Sequence, residues 1–266
     1  MSLLEETKFL LRRYRIRPKK RLGQHFTIDS SFFQRMAEYA SLTREDIALD
    51  VGAGLGFLTR FLAGKCKEVL AVEADSRLAS ILREILKAFP NVLVLEGDLF
   101  KVQLPWFNKV VAIPPYGISS MLVRWLFDKR VDCAVLVFQK EFAYRLVAPI
   151  GSKDYGWLTV LTYYHFDVEL LDEIPRWTFF PQPKVDSVIV QFKPRRPPFH
   201  VKNEKTFTQL VQTLFTQRNK KVKNAIQAFI KRGQAKLTDC SIPFQGRRVR
   251  ELAPEDFGVL ADVIAS

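Results

Sequence analysis

Short apolar runs alternate with segments of helical apolar spacing through the first half of the chain. The runs cover residues 47–51, 68–73, 91–96, 109–113 and 132–138, and the helical segments cover 30–41, 57–64, 77–88, 119–128 and 140–148. Strands that are apolar throughout are typical of a sheet covered on both faces, and their alternation with helices indicates parallel pairing. The pattern therefore predicts an α/β fold with a mostly parallel sheet.

The second half of the chain has a different pattern. Residues 166–173 and 185–193 alternate more strictly, as expected of antiparallel edge strands. A basic, proline-rich segment over 194–198 then separates these strands from predicted helices at 204–216, 220–231 and 254–264. We predict one domain over residues 1–193 and a small all-helical domain over 194–266.

The charge is distributed unevenly along the chain. The net charge is +13, and residues 193–250 alone hold 15 Lys and Arg against two Asp and Glu. Residues 1–23 hold eight basic and two acidic side chains, whereas 24–192 are nearly neutral. Basic segments on both sides of a neutral block indicate a polyanionic partner, either nucleic acid or an acidic membrane.

Several classes of protein are disfavoured by composition. No apolar run approaches the roughly 18 residues that a membrane span requires, and the basic N-terminus lacks the order of a secretory signal. Cys66, Cys133 and Cys240 lie far apart and the chain has only three histidines, which disfavours a disulfide framework or a metal site. We expect a cytoplasmic protein with no metal, and nothing in the sequence requires more than a monomer.

A glycine cluster directly follows the first predicted strand, with Gly52, Gly54 and Gly56 ahead of a helix. Glycines there allow a tight turn and a close approach of the backbone to a ligand. A dinucleotide-binding fingerprint would place its third glycine at position 57, which is Phe57. The spacing instead resembles the Gly-x-Gly-x-Gly loop of methyltransferases that use S-adenosyl-L-methionine.

Carboxylates follow the next two strands. Glu73 ends the second strand, about 20 residues after the first glycine, where it could accept hydrogen bonds from both hydroxyls of a ribose. Asp98 follows the third strand and could accept one from an adenine amine. Because the carboxyl ends of parallel strands share one edge of the sheet, these side chains and the glycine loop predict one cofactor site.

The fourth strand ends in Ile113, Pro114, Pro115 and Tyr116. This turn resembles the Asn/Asp-Pro-Pro-Tyr motif of enzymes that methylate exocyclic amines of bases. The resemblance implies that a side chain at position 113 and the next carbonyl accept hydrogen bonds from the amine while the tyrosine stacks on the base.

The chain resembles the small-subunit ribosomal RNA adenine N6,N6-dimethyltransferases (the KsgA type) over nearly its whole length. The resemblance rests on residues 20–26, 50–59, 73–75, 97–98, 115–120, 139–142, 154–156, 180–187 and 215–221. It implies a Rossmann-like methyltransferase sheet with one antiparallel edge strand. It also implies S-adenosyl-L-methionine-dependent dimethylation of two adjacent adenines near the 3′ end of the RNA, on the immature small subunit during ribosome biogenesis.

The resemblance also assigns candidate residues. Those expected at the methyl-transfer site are Ile113, Pro114, Tyr116 and Phe180, with the last two clamping the unstacked base. Those expected to bind the cofactor are Gln24, His25, Phe26, Gly52, Gly54, Gly56, Glu73, Ala74, Asp98 and Leu99.

Two positions depart from the family pattern. Ile113 replaces an asparagine and removes a hydrogen-bond acceptor at the reacting centre, a loss that typically costs 10²–10³ in rate. His25, also in place of asparagine, still has a hydrogen-bonding side chain. Three hypotheses remain open: an active enzyme with another acceptor, an impaired enzyme that serves as a cofactor- and RNA-binding assembly factor, or an altered sequence. A methyltransferase for a single adenine of the large subunit is a further alternative.

Basic side chains provide the expected contacts to RNA phosphates. In the helical domain they are Arg218, Lys220, Lys221, Lys223, Lys231, Arg232, Arg247, Arg248 and Arg250. At the N-terminus they are Arg12, Arg13, Arg15, Arg17, Lys19, Lys20 and Arg21, on a segment expected to be a flexible arm that becomes ordered on RNA.

Overall fold

A computed structural model describes residues 1–19, 23–231 and 242–264. Lys20, Arg21, Arg232 and Cys240, named above, lie outside these residues, and so does the side chain of Lys231. The helices are α1 (Leu3–Arg13), α2 (Phe33–Tyr39), α3 (Phe57–Ala63), α4 (Ser76–Ile85), α5 (Ser119–Leu126), α6 (Lys140–Leu146), α7 (Trp157–His165), α8 (Glu204–Phe215), α9 (Val222–Lys231) and α10 (Pro254–Ile264). The strands are β1 (Phe26–Thr27), β2 (Ile47–Val51), β3 (Glu68–Glu73), β4 (Val92–Glu96), β5 (Lys109–Ala112), β6 (Cys133–Gln139), β7 (Phe166–Ile174), β8 (Phe179–Phe180) and β9 (Ser187–Pro194).

The central sheet has seven strands in the order β4-β3-β2-β5-β6-β9-β7. Strands β2 to β6 pair in parallel, and β9 runs antiparallel to β6. Every residue of β5 is buried, as are all but one in each of β2, β3 and β6. This burial explains their uninterrupted apolar sequences and confirms the predicted α/β sheet.

The prediction of an edge position was wrong for β9, which lies between β6 and β7. Its first six residues are buried, including the polar Ser187 and Gln191. Both polar side chains have partners, since Ser187 Oγ bonds the Tyr116 hydroxyl and Gln191 Nε2 donates to the Tyr39 carbonyl. An alternating pattern therefore occurs in an interior strand, because tertiary contacts satisfy its polar positions.

The chain forms two compact units. The first comprises Met1–Ala143 with Glu169–Pro194, and the second Tyr144–Val168 with Arg195–Ser266. The predicted division between 193 and 194 did not assign Tyr144–Val168 to the second unit. Helix α7 belongs to the second unit because it packs on α8 and α10. Six of its nine residues are buried, so its sequence lacks an amphipathic pattern.

Helix α1 was not predicted; it has a capping box at Ser2 and Glu5. It includes Arg12 and Arg13, so the expectation of a flexible arm was wrong for these first two residues of the predicted arm. Leu10 and Leu11 are buried in the core of the first unit, so apolar burial orders this basic segment without RNA.

An aromatic cluster forms the interior of the second unit. Tyr164 contacts Phe199 and Phe207 with ring centroids 5.1 and 4.9 Å apart. Gly258 on α10 lies against the same cluster, since a Cβ there would be 2.7 Å from the Phe199 ring. Tyr155 is also buried, and its hydroxyl donates to the Leu252 carbonyl at 2.9 Å.

We expect Tyr155→Phe to lower the free energy of unfolding by about 1–3 kcal/mol, because the buried Leu252 carbonyl loses its donor. Urea denaturation measures the change. Tyr163→Phe is the matched control, since its hydroxyl bonds Glu255 at the surface, and its change should stay within about 0.5 kcal/mol. Equal changes in the two variants would contradict a stabilising role for the buried Tyr155–Leu252 hydrogen bond.

Candidate functional site

A cavity of about 270 Å³ lies in the first unit at the carboxyl ends of β2, β3, β4 and β5. The strand order reverses between β2 and β5, which is the position where open α/β sheets bind ligands. Twelve of the predicted site residues line this cavity: Gln24, His25, Phe26, Gly52, Gly54, Glu73, Ala74, Asp98, Leu99, Ile113, Pro114 and Tyr116. Gly56 and Phe180 do not line it.

The glycine loop is shaped by close contact with the turn after β5. Gly52 has a φ of +73°, and a Cβ at this position would lie 2.5 Å from Pro115 Cδ. Gly54 has a φ of +60°, and its N–H donates to Glu73 Oε2 at 2.9 Å. Both φ angles lie in the left-handed region that favours glycine, and a side chain at position 52 would overlap Pro115. Glycines at these positions therefore allow the loop to form one wall of the cavity.

Gly56 has a packing role. It precedes α3 with a φ of +75°, and a Cβ there would lie 2.7 Å from Leu82 Cδ2 on α4. The third glycine of the motif therefore allows the loop to approach α4, away from the cavity.

Glu73 joins two loops of the site. Its carboxylate accepts hydrogen bonds from Gly54 N–H at 2.9 Å and from Asp75 N–H at 2.8 Å. Burial raises the pKa of this carboxyl above its ordinary value, whereas the backbone donors act in the opposite direction. A carboxylate has about four acceptor positions, so these backbone donors leave room for a hydroxyl of a ligand.

Asp75 was missed as a site residue, although it lies two positions after Glu73. Its buried carboxylate accepts from Arg77 and Gln24 and pairs with Lys19 at 3.1 Å. These partners, Arg77 foremost, hold the pKa of Asp75 well below its usual range. Asp75 thereby connects the N-terminal segment to the cavity wall after β3.

The turn after β5 presents Pro114 and Tyr116 to the cavity. The Pro114 carbonyl accepts no hydrogen bond from the described residues. The Tyr116 hydroxyl pairs with Ser187 Oγ at 2.7 Å, which fixes the ring in place. The His25 ring stacks near it, with centroids 5.8 Å apart and planes inclined at 29°.

Phe180 lies in a two-stranded antiparallel sheet, where it is opposite Phe26. It is partly buried against the core of the first unit, and Phe179 lines the cavity in its place. The following residue contributes by its backbone, because the Pro181 carbonyl lies 2.6 Å from His25 Nδ1. The predicted clamp of Tyr116 and Phe180 on the target base stays a prediction, since only Tyr116 of the two lines the cavity.

The basic side chains of the second unit fall into two groups. Arg218 donates to the carbonyls of Ser152 and Lys153, Arg247 pairs with Asp256, and Arg248 donates to the Asn219 carbonyl. In contrast, Lys220, Lys221 and Lys223 are exposed, and their side chains form no hydrogen bond or ion pair with other described residues. These arginines contact groups within the unit, whereas the three lysines supply positive charge that is available to a partner.

Comparison with known proteins decides the family. The model of ribosomal RNA adenine dimethylases matches residues 15–265. The chain belongs to this family. A probable ribosomal RNA small subunit methyltransferase A from Methanosarcina mazei is 38% identical over 260 residues, which are 96% of both chains. The corresponding Pyrococcus abyssi protein is 38% identical over 256 residues, 93% of this chain and 92% of its own.

Solved structures support the fold of this family member. A dimethyladenosine transferase from Plasmodium falciparum has a TM-score of 0.73 at 27% identity, covering 88% of this chain and 94% of its own. The 23S rRNA methyltransferase ErmE has a TM-score of 0.65 at 29% identity, covering 91% and 100%. Among the described residues, no cluster of metal-ligating side chains is found, and no helix is long and apolar enough to cross a membrane.

Asp50 is fully buried at the end of β2, next to this site. Thr59 Oγ1 donates to its carboxyl at 2.6 Å, but burial dominates and raises the pKa of Asp50 to about 7. The unfolded chain releases this proton near pH 4. Between those values the native state retains a proton that the unfolded state has lost, so stability falls as the pH rises.

We expect Asp50→Asn to remove this loss of stability at rising pH, because the amide is neutral at every pH and its oxygen still accepts a hydrogen bond from Thr59. Its free energy of unfolding should change less between pH 4.5 and pH 7.5 than that of the wild type. Denaturant titrations at several pH values measure the difference, with exposed Glu45→Gln as the control. Parallel curves for Asp50→Asn and the wild type would contradict the raised pKa.

Proposed function

We propose that this family member uses S-adenosyl-L-methionine to dimethylate N6 of two adjacent adenines near the 3′ end of small-subunit ribosomal RNA. The observation that carries the proposal is one cavity that joins the glycine loop, Glu73 and Asp98 to the Pro114–Tyr116 turn. The substrate is an immature small subunit, and the protein acts as a cytoplasmic monomer. Relatives named as small subunit methyltransferases support this choice of RNA.

The cavity residues fit the cofactor. Gly52 and Gly54 leave space that a Cβ would fill, and the buried Glu73 carboxylate retains acceptor positions for ribose hydroxyls. Asp98 and Leu99 lie after β4, where Asp98 could accept from an adenine amine. When bound, the cofactor supplies a methyl group already activated on a sulfonium, so catalysis depends mainly on positioning.

The remaining residues position the target base. Tyr116 provides an aromatic face beside the cavity, and the Pro114 carbonyl is an acceptor without a partner among the described residues. The base must leave its stack to reach these groups. The exposed lysines of the second unit supply charge for the RNA backbone, which sets affinity and contributes little to the choice of base.

We expect the purified wild type to form dimethyladenosine on immature small subunits supplied with the cofactor, at two adjacent adenines mapped by primer extension or mass spectrometry. The comparison variant is Ile113→Asn. If only Ile113→Asn forms the product, while the wild type binds cofactor and subunits, the protein is the impaired assembly factor. A single methylated adenine on large-subunit RNA would instead support the activity that ErmE's name describes.

We expect replacement of Lys220, Lys221 and Lys223 by glutamine to weaken binding to small subunits and to lower the salt dependence. The slope of log K against log salt should decrease by about two to three, since up to three phosphate contacts are lost. Replacement of exposed Arg44, Lys67 and Lys87 removes the same charge from the first unit and is the matched control. Equal slopes in the two triple variants would refute a specific contact.

A further inference from the structure

Two tryptophan side chains of the first unit are largely exposed to solvent. Trp106 and Trp177 are each 67% exposed, whereas the Trp125 ring stacks on Phe107 with centroids 6.0 Å apart. An indole in water lacks the hydrophobic stabilisation that burial would provide. An exposed aromatic ring is also a surface on which nucleobases stack. The two exposed rings differ in their position relative to the cavity.

Trp106 lies at the opposite edge of the sheet from the cavity. It precedes β5, and the neighbouring Asn108 donates its N–H to the Ile47 carbonyl and accepts from the Asp132 N–H. These contacts are at the amino ends of the parallel strands, whereas the cavity is at their carboxyl ends. Trp106 is therefore a control with the same exposure at a different place.

Trp177 lies beside the cavity, in a short helical turn over Arg176–Thr178. Phe179, two residues later, lines the cavity, and two residues of chain span at most about 7 Å. Thr178 and Phe179 are buried, so the exposed Trp177 ring is on the outer side of this wall.

Hydrogen bonds connect this turn to the wall that holds Tyr116. The Arg176 N–H donates to Asp186 Oδ1 at 2.9 Å, and the next residue, Ser187, pairs with the Tyr116 hydroxyl at 2.7 Å. On the other side, the Thr178 carbonyl accepts from the Ile28 N–H at 2.8 Å. The backbone around the ring is thus held in place, which lowers the entropic cost of stacking on it.

The surroundings of Trp177 are positively charged. Arg176 and Lys184 are exposed and form no ion pair with other described residues, whereas Glu173 is paired with Lys140 at 2.6 Å. Within residues 169–194, all of which the structure describes, Trp177 is the only exposed large apolar side chain. A single ring beside two unpaired cations suits a nucleotide, whereas a protein interface has a contiguous apolar core.

We propose that Trp177 stacks on the base of a nucleotide that flanks the target adenine and stays outside the cavity during methyl transfer. The inference rests on the proposed function and assigns a residue to the RNA strand that enters the site. Arg176 and Lys184 contact phosphates of the same strand. Every base can stack on an indole, so Trp177 holds the strand and contributes little to the choice of sequence.

The first test measures dissociation constants for immature small subunits over a range of salt concentrations. We expect Trp177→Ala to raise the constant about 5- to 150-fold, the effect of losing one base–aromatic stack. Because no charge is removed, the slope of log K against log salt should match that of the wild type. Trp177→Phe retains a ring and should lose less affinity, and Trp106→Ala should stay within about twofold.

Kinetics and cofactor binding separate this role from a catalytic one. A stack made equally in the ground state and the transition state changes KM, so Trp177→Ala should raise KM for subunits and keep kcat within about threefold. Calorimetry should give an unchanged cofactor dissociation constant, because Trp177 does not line the cavity. Thermal melts show whether each variant is folded.

Fluorescence provides a measurement that does not depend on methyl transfer. Hexaadenylate is the probe, because an adenine that stacks on an indole quenches its emission. We expect hexaadenylate to quench the emission of the wild type and of Trp106→Phe, and to quench that of Trp177→Phe much less.

Three results would overturn the assignment. They are equal dissociation constants for Trp177→Ala and Trp106→Ala, equal quenching in the two phenylalanine variants, or a loss of affinity for intact subunits with none for ribosomal RNA freed of protein. The last result would show that Trp177 contacts a protein of the subunit. Failure of the proposed function gives a different result, because the wild type would form no dimethyladenosine while binding and quenching still depend on Trp177.

Discussion

The close approach of the turns after β2 and β5 is the constraint on which the site depends. These strands are neighbours in register, with Ala48 opposite Lys109 and Leu49 opposite Val110. Their continuations meet where a Cβ on Gly52 would overlap Pro115. The glycine loop and the Pro114–Tyr116 turn can therefore face one cavity. A side chain at position 52 would separate the wall suited to a cofactor from the wall suited to a base.

The N-terminal segment completes this cavity from a distant part of the sequence. Gln24 and Lys19 are held by the buried Asp75, and Phe26 pairs with Phe180 in the small sheet. A charged hydrogen bond to a buried carboxylate is worth more than an exposed ion pair, so Asp75 is an effective anchor. The same segment delivers His25 to Tyr116 and to the Pro181 carbonyl.

Charge has two separate uses in the second unit. The planar guanidinium groups of Arg218 and Arg248 donate to backbone carbonyls and hold loops together, a geometry that lysine cannot reproduce. The neighbouring lysines extend into solvent, where flexible point charges suit a phosphate backbone. The dense basic run of the sequence is thus partly scaffold and partly an available surface.

The sequence pattern predicted the sheet, and 12 of the 14 candidate site residues chosen from it line the cavity. Uninterrupted apolar strands must be buried on both faces, and the carboxyl ends of parallel strands share one edge, so Gly52, Glu73, Asp98 and Tyr116 could be assigned to one site from spacing and family resemblance. Local pattern could not reveal contacts between distant segments. Only the tertiary structure showed that Gln24 donates to Asp75, that Phe180 does not line the cavity and that β9 is an interior strand. Each of these depends on a partner far away in the chain, and the pairing of His25 Nδ1 with Pro181, 156 residues later, is the clearest example.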